Sequence, residues 1–538
     1  MLLSFWARRK YAHLRCLMRG YAWCKRHSGF AAIRRLKNEL IDVHVGAFVS
    51  GAEWFFGASA PRAELVVRQF VYDRYGGGKL NHILFGCIGC RKPIAAGMPV
   101  PWRTCLKNAG WPVSYLASSF AWQAITVLRL LRGVLRLISL CAKLAMSKQA
   151  NTASAPYVYF EGLTRANLPV QSGDEGSYDI CTFYAQWQRR SPQVQIICHD
   201  VADEAERKVF GLRVRHFPPA YELARGANAA LKLAWWGARA SVLAVLQMLR
   251  GRWQWALMLE EATKAKAIQL APQEGFATEY WFHASRTIYR PMWTYEVEQK
   301  GSKVVLYFYS TTVQPKLKTG YESQRFEWGP NTWPCMIVWD NYQEERIRKD
   351  LGDEVEILQA GPIPFSDSSI EISPLPPNSI AVFDLQPYRP SMHLGISTLT
   401  DCMADNSDYF HRFLSDVAEV LDECGVLAVL KTKREIGARG DRRYEQILKR
   451  LQSSRSVCMI DPAVSAIRVA ARCCAGISAP FTSAALYVRA LGRPSIYYDP
   501  YGWIQRDDRG AHGIPVLCGK DALRTWVVQT LSAEVANR

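Results

Sequence analysis

Residues Gly476 to Pro500 read GISAPFTSAALYVRALGRPSIYYDP: a short strand, a tight polar turn, a helix and a second buried strand. Thr482 and Ser483 stand where a helix N-cap belongs, Ala484, Val488 and Leu491 follow at helical spacing, and Gly492 with Pro494 supplies the stop. Such a turn aims a helix N-terminus outward. Its amides, the positive end of the helix dipole and the nearby hydroxyls suit a phosphate, which makes Ser478, Pro480, Phe481, Thr482 and Ser483 anion-binding candidates. The same residues also make an ordinary strand-to-helix turn with no ligand.

This unit is the fourth in a run of strand and helix alternations. SIAVFDLQPYR, a helix over 404–424, VLAVLKTKR, a helix over 441–453, SVCMIDP and a helix over 463–473 precede it, and IPVLCG with a last helix follows. Strands alternating with helices predict a parallel, Rossmann-like sheet, with the turn at its carboxyl edge where open α/β folds bind ligands. A GxGxxG turn is absent from it, so NAD or FAD use has no support.

Upstream, the proline-rich stretch from Gly361 to Ser379 separates this half from another alternating region, in which YVYFEG, YDICTFY, VQIICHD, TEYWFHASR, KVVLYFYS, CMIVWD and EVEILQAG read as short strands. The predicted division is a helical, basic region over 1–151, a Rossmann-like domain over 152–365 with a long helical insertion at about 220–270, and a second Rossmann-like domain over 378–538. The fold class is α/β, with two Rossmann-like domains facing a cleft and a helical N-terminal extension.

At 538 residues the chain is too long for one ordinary core, and 49% hydrophobic content excludes general disorder. A formal charge of +19 calls for an anionic partner: nucleic acid, anionic lipid or a phosphorylated substrate. No RNP-like or other nucleic-acid motif accompanies the aromatics, and no nucleic acid partner is expected. Fifteen irregularly spaced cysteines, including a lone CIGC at Cys87 and Cys90, read as reduced thiols and not as a metal site. The N-terminus lacks the continuous apolar core of a signal peptide, and no run of about 18 uncharged apolar residues predicts a membrane span.

Two stretches bear on membranes. Arg129, Arg132, Arg136 and Lys143 fall on one helical face with Ile125, Leu128, Leu131, Leu135 and Ile138 around the rest; Arg225, Lys232, Arg239 and Arg250 line another helix amid Trp235 and Trp236. Both fit a basic amphipathic helix lying in an anionic headgroup layer, and both fit helices packed internally.

SAPFTSAAL, followed by RPSIYYDP and HGIPVL, resembles the bacterial surface-polysaccharide biosynthesis family named after its PFTS motif, and so does Ser285 to Ser310, SRTIYRPMWTYEVEQKGSKVVLYFYS. The resemblance covers roughly the last half of the chain. It implies a GT-B-like glycosyltransferase whose second half holds a nucleotide-sugar donor, and no cofactor beyond that substrate, with a CMP- or UDP-linked donor in view.

Such an enzyme must neutralise a phosphate leaving group, which fixed cations and backbone donors can do without metal. Lys431, Lys433 and Arg434 end a strand at the right edge; Asp499 could accept from a ribose or sugar hydroxyl, and His512 beside Gly513 could donate to phosphate. The base for the acceptor hydroxyl belongs to the first half, where Glu161, His199, Asp200 and His283 lie at strand ends, with Asp200 marginally preferred. Arg290 for an acidic group and Trp293 for stacking on a sugar complete the candidate lining, beside core packing for Trp293 and a surface pair for Arg290 as their structural readings.

The expected function is transfer of a sugar to a lipid-linked or growing surface glycan, of lipopolysaccharide or capsule, by a protein peripheral to the inner face of the bacterial cytoplasmic membrane. The alternatives are a polyol-phosphate transferase of the CDP-glycerol type and a non-catalytic basic scaffold binding membrane or nucleic acid.

Overall fold

The computed structural model describes residues 14–24, 26–27, 29–45, 51–76, 78–146, 155–173, 177–283, 289–311, 331–389, 407–433, 437 and 440–536. Arg434 and the Ser285–Ile288 start of the second family block lie outside them.

The apolar runs of the first alternating region form β1 (Tyr157–Phe160), β2 (Ile196–His199), β3 (Arg207–Val209), β4 (Leu212–His216), β5 (Glu279–His283), β6 (Lys303–Tyr307), β7 (Cys335–Val338) and β8 (Glu356–Gln359). They make one sheet in the order β3-β4-β2-β1-β5-β6-β7-β8, parallel except for the β3–β4 hairpin. Every residue of β1, β2 and β7 is buried, as strands covered on both faces require. YDICTFY is not a strand; Asp179 caps a helix, Ile180–Gln186, by accepting from the amides of Cys181 and Thr182.

The second sheet holds β9 (Ile380–Phe383), β10 (Ala428–Lys431), β11 (Val457–Ile460), β12 (Ala475–Ser478), β13 (Ser495–Asp499) and β14 (Val516–Cys518). All six are parallel, in the order β11-β10-β9-β12-β13-β14, the strand order of a Rossmann sheet. Each sheet reverses its winding once, between β1 and β5 in the first lobe and between β9 and β12 in the second. Open α/β sheets bind ligands outside the carboxyl ends of the strands at such points.

A helical body completes the molecule. Its apolar core joins residues from Leu17 to Leu144 with residues from Ala224 to Tyr295, so the 220–270 insertion packs on the N-terminal helices. Gly133 and Gly237 allow the Tyr115–Met146 helix to meet the Gln254–Leu270 and Gly226–Leu249 helices; a Cβ at either would collide with Leu259 or Leu137.

The basic helix buries Leu130, Leu137, Leu140 and Leu144 in the helical body, and its cations and a second leucine row lie outside that stripe. Arg132 pairs with Glu260 at 2.7 Å, Arg136 and Lys143 lie 3.6 and 2.7 Å from Glu222, and Arg129 lies over the Phe70 ring. Leu128, Leu131, Leu135 and Ile138 are all more than half exposed. The paired cations share that surface: the Arg132 and Lys143 side chains stay about half exposed or more while they meet Glu260 and Glu222.

Gly226–Leu249 is the one helix among the described residues long and apolar enough to cross a bilayer, despite Lys232 and Arg239 within it. It buries Leu233, Trp236, Gly237, Ala240 and Ala244 in the helical body. Cys90, expected as a free thiol, is disulfide-bonded to Cys16, because the two helices that carry them approach to a Cα–Cα distance of 5.3 Å.

Candidate functional site

Contacts between the lobes join strand carboxyl ends to strand carboxyl ends. After β6, the Thr311 amide donates to Ser483 Oγ (3.1 Å) in the turn after β12. Beyond β7, Asp340 meets His512 (2.8 Å) and Arg489 (3.5 Å) of the second lobe. Trp339 packs on Tyr487, whose hydroxyl donates to the Ile363 carbonyl (2.8 Å). A third contact runs from the turn after β1: the Asp367 amide donates to the Ala166 carbonyl (3.1 Å), and the Asp367 carboxylate accepts from the Ser465 amide (3.0 Å) and from Arg468 (3.1 Å) of the second lobe. Loops of both lobes therefore meet along one seam.

In the second lobe the reversal point is made by Asp384, just past β9, and Ser478, the last residue of β12. Both are buried, and among the described residues Asp384 Oδ1 and Ser478 Oγ have no hydrogen-bond partner. Unsatisfied buried oxygens are costly, and two at a reversal point mark a place for a polar ligand. Burial pushes the Asp384 carboxyl up to about 7 against the lowering charge of Lys431, while Asp384 Oδ2 accepts from the Tyr444 hydroxyl. Lys431 ends β10 next door; burial lowers its pKa, opposed by Asp384, Asp461 and Asp367, and its ammonium donates to the carbonyls of Thr432 and Pro462, each at 3.2 Å. Lys433 is exposed.

The PFTS turn departs from the expected anion cradle. Ser483 is the N-cap of a helix spanning only Ala484–Ala490, yet its backbone is helical and its side chain makes no cap bond. The Thr482 hydroxyl donates to the Ala479 carbonyl (2.9 Å), closing the turn on itself. Phe481 adopts a left-handed backbone (φ 63°) and stacks on Tyr497 with the rings 5.5 Å apart and nearly parallel. Pro480 is buried. The motif thus shapes the seam and engages the first lobe through Ser483; Thr482 and Phe481 hold that shape.

His512 belongs to the seam as well. It is 1% exposed, Nδ1 faces Asp340, and Nε2 has no partner among the described residues. Gly513 follows with φ 75°, and a Cβ there would stand 3.2 Å from the Tyr342 hydroxyl of the first lobe.

In the first lobe Glu161 follows β1 and His283 ends β5, the two strands of the reversal point. Burial pushes the Glu161 carboxyl up to about 7, Asp200 and Glu261 adding to the shift and Lys264 opposing it. Glu161 Oε2 is buried without a partner among the described residues. Asp200, the favoured base in sequence, is occupied otherwise: its carboxylate accepts from the Gly162 (3.1 Å) and Leu163 (3.2 Å) amides and fixes the turn that carries Glu161. His199 is buried, and burial with His216 nearby lowers it to about 4, too weak a base near neutrality. His283 Nε2 lies 3.4 Å from the Gly162 carbonyl, its ring against Phe365.

Three candidates leave the site. Asp499 accepts from the Tyr409 hydroxyl (3.0 Å) and from the amides of Tyr501 (3.2 Å) and Ile504 (2.8 Å), so it fixes its own loop and, buried there, presents no face to a ribose. Arg290 is buried between Glu298 (2.8 Å), the Thr332 carbonyl (2.9 Å) and the Tyr295 ring. Trp293 is packed against Tyr221, Tyr280 and Phe282 in the core, with no face for a sugar.

Sequence reasoning missed Asp384, Tyr444, Thr311 and Asp340. Asp384 carried a readable signal, since AVFD ends a strand with a carboxylate just as IICHD does. The others serve as partners of residues far along the chain.

No curated protein matches the chain. Among solved structures, the UDP-GlcNAc 2-epimerase of Methanocaldococcus jannaschii aligns with TM-score 0.33 at 8% identity, covering 70% of this chain and 92% of its own. Anabaena Alr3699/HepE, solved with UDP and glucose, gives 0.32 at 11%, covering 70% and 90%. The wall teichoic acid polymerase TagF gives 0.36 at 12%, covering 75% and 87%. Scores this low say nothing of what this chain binds. The sequence match is of another order: the family described as polysaccharide biosynthesis PFTS motif protein spans residues 240–527, more than half of the 538, with the PFTS turn itself inside it. This chain belongs to the polysaccharide biosynthesis PFTS motif family.

Proposed function

We propose that the protein is a glycosyltransferase that moves a sugar from a nucleotide-sugar donor to a lipid-linked or growing surface polysaccharide. The observation that carries this reading is Glu161: a carboxyl that burial pushes up to about 7, with one buried oxygen that has no partner among the described residues, just past β1 at the reversal point of its lobe. A base poised near neutrality is what removal of a proton from an acceptor hydroxyl requires. As the acceptor oxygen bonds to the anomeric carbon, the bond from that carbon to the donor's phosphate oxygen breaks, and Glu161 takes the acceptor proton.

The donor phosphates belong beside β10, β9 and β12. Lys433 meets their charge there, and Ser478 donates to them. Asp384, kept protonated up to about 7 by burial, adds no repulsion below that pH. Fixed cations and dipoles of this kind stabilise a leaving phosphate, so no metal is invoked. The place of work is the cytoplasmic face of the bacterial membrane, where lipid-linked acceptors reside; the exposed leucines of the helical body support it.

A thermal-shift screen of UDP, CMP and GDP tests the donor site, since a ligand that binds the native state raises its melting temperature. A nucleotide-dependent rise, with slow donor hydrolysis that Glu161→Gln removes, supports the reading. No rise with any nucleotide sinks it, and release of CMP with phosphate left in the product replaces it by polyol-phosphate transfer.

A further inference from the structure

A groove of about 500 Å³ opens in the helical body, away from the seam, between the Gly78–Cys90 helix, the 96–102 segment and the Tyr115–Met146 helix. Its volume falls in the range of small-molecule pockets. The wall is apolar, with Leu80, Ile83, Met98 and Ile125, and three cations line it as well: Lys79, Arg129 and Arg132. Arg132 is engaged by Glu260, whereas among the described residues Arg129 makes no ion pair and Lys79 lies over the Tyr75 ring. The nearby Asp73 carboxylate is 3.5 Å from Arg74. Trp102, also in the wall, is 1% exposed, and its indole N–H has no acceptor among the described residues.

The groove continues into an unpartnered apolar surface. Leu128 lines it and is 65% exposed, and Leu131, Leu135 and Ile138 extend the row along the same helix. On the adjacent Gly226–Leu249 helix, Leu231, Trp235, Val242 and Leu249 are each at least 60% exposed. Apolar rows beside basic residues on neighbouring helices are the pattern of an interfacial helix, and an apolar slot rimmed by cations adds a place for one molecule of matching chemistry.

We propose that this groove holds a single anionic phospholipid drawn from the bilayer, its phosphate between Lys79 and Arg129 and one chain along Leu80, Ile83, Met98 and Ile125. The exposed leucine row enters the same leaflet and sets the orientation of the helical body. This rests on the membrane-facing part of the functional reading and is independent of the sugar chemistry.

The test uses the full chain in mild detergent, with native mass spectrometry against phosphatidylglycerol and phosphatidylcholine, and flotation with vesicles of either lipid. One retained phosphatidylglycerol per chain, and no retained phosphatidylcholine, is expected. The Lys79→Gln/Arg129→Gln variant should weaken that retention about thirtyfold, the worth of two cations near an anionic lipid, while nucleotide-induced thermal shifts stay unchanged. Leu131→Glu/Leu135→Glu, outside the groove, should lose flotation yet keep the bound lipid in detergent. Equal retention of both lipids, retention untouched by the double charge variant, or displacement by inorganic phosphate alone overturns the proposal. So does a chain that fails to float and dimerises through the leucine row. Failure of every nucleotide to bind would sink the transferase reading and leave these outcomes readable.

Discussion

The His512 imidazole of the second lobe lies 2.8 Å from both carboxylate oxygens of Asp340 in the first. With Arg489 beside it, this contact ties the loop before β14 to the end of β7 and leaves His512 Nε2 free among the described residues. Burial alone would raise Asp340, but the His512 hydrogen bond and the charges of His512 and Arg489 outweigh it and hold the carboxyl below 3.8. Asp340→Asn should therefore cost about 2 kcal/mol, in the range of hydrogen bonds to charged groups, read as a lower melting temperature at pH 7. A depressed carboxyl contributes stability above its unfolded value that is lost as pH falls through its folded one. The difference between parent and variant should accordingly vanish in strong acid.

Glu161→Gln separates catalysis from stability. Turnover should collapse, and the parent should lose activity tenfold per pH unit below about 7, as its base takes up a proton. The stability sign is opposite. A carboxyl raised from 4.5 to about 7 binds a proton in the folded state that the unfolded state has released, so stability falls across that window as pH rises. The glutamine variant carries no such penalty and should gain up to about 3 kcal/mol over the parent above pH 7, at roughly 1.4 kcal/mol per unit. A parent-to-variant difference in melting temperature that is the same at pH 5 and pH 8 would show that Glu161 is not buried as described.

Gly476 sits where β12 meets the helix of the PFTS turn, and a Cβ there would stand 2.6 Å from Val488 Cγ2. Val488 is fully buried and cannot yield cheaply. Gly476→Ala should destabilise the chain by about 1–3 kcal/mol, the usual cost of overpacking, and shift Ser483 away from Thr311. Denaturant unfolding measures the first effect and donor turnover the second.

The Thr311–Ser483 contact spans the seam with hydroxyls 3.3 Å apart. A double-mutant cycle of Thr311→Val and Ser483→Ala should give a coupling of about 1 kcal/mol, a typical net hydrogen bond. Strict additivity would mean the lobes do not meet there in solution.

Asp499→Asn distinguishes a loop anchor from a ligand. With three donors facing its carboxylate, the variant should lose about 2 kcal/mol of stability while the donor KM stays within a few-fold of the parent. A selective rise in donor KM at unchanged melting temperature would restore Asp499 to the site.

The periodicity of the chain was enough for the second sheet and for six strands of the first, because a strand buried on two faces must be a short apolar run; it misread the YDICTFY helix as a strand and did not reach the β3–β4 hairpin. The same logic placed Glu161, Lys431, Ser478 and the PFTS turn at carboxyl edges, where the folded chain has them. Local reasoning named Asp499, Arg290 and Trp293 as ligand candidates beside a structural role for each, and the structural role is the one the fold gives: a loop anchor, a buried ion pair and core packing. Each has the right chemistry for a ligand, but Tyr409, Glu298 and Tyr280 come from other parts of the chain and occupy it first.

Helical spacing alone put Arg129, Arg132, Arg136 and Lys143 on one face of their helix and leucines around it. Which leucines were buried and which met water depended on the helices packed against this one, and Glu222 and Glu260, about 80 and 130 residues away, hold Arg132, Arg136 and Lys143 at the surface beside the exposed row. The exchange of Asp200 for Glu161 has the same origin. A carboxylate two hydrogen bonds deep in a turn and one left bare in a low-dielectric pocket look alike in one dimension, and burial and distant charge set their proton affinities apart.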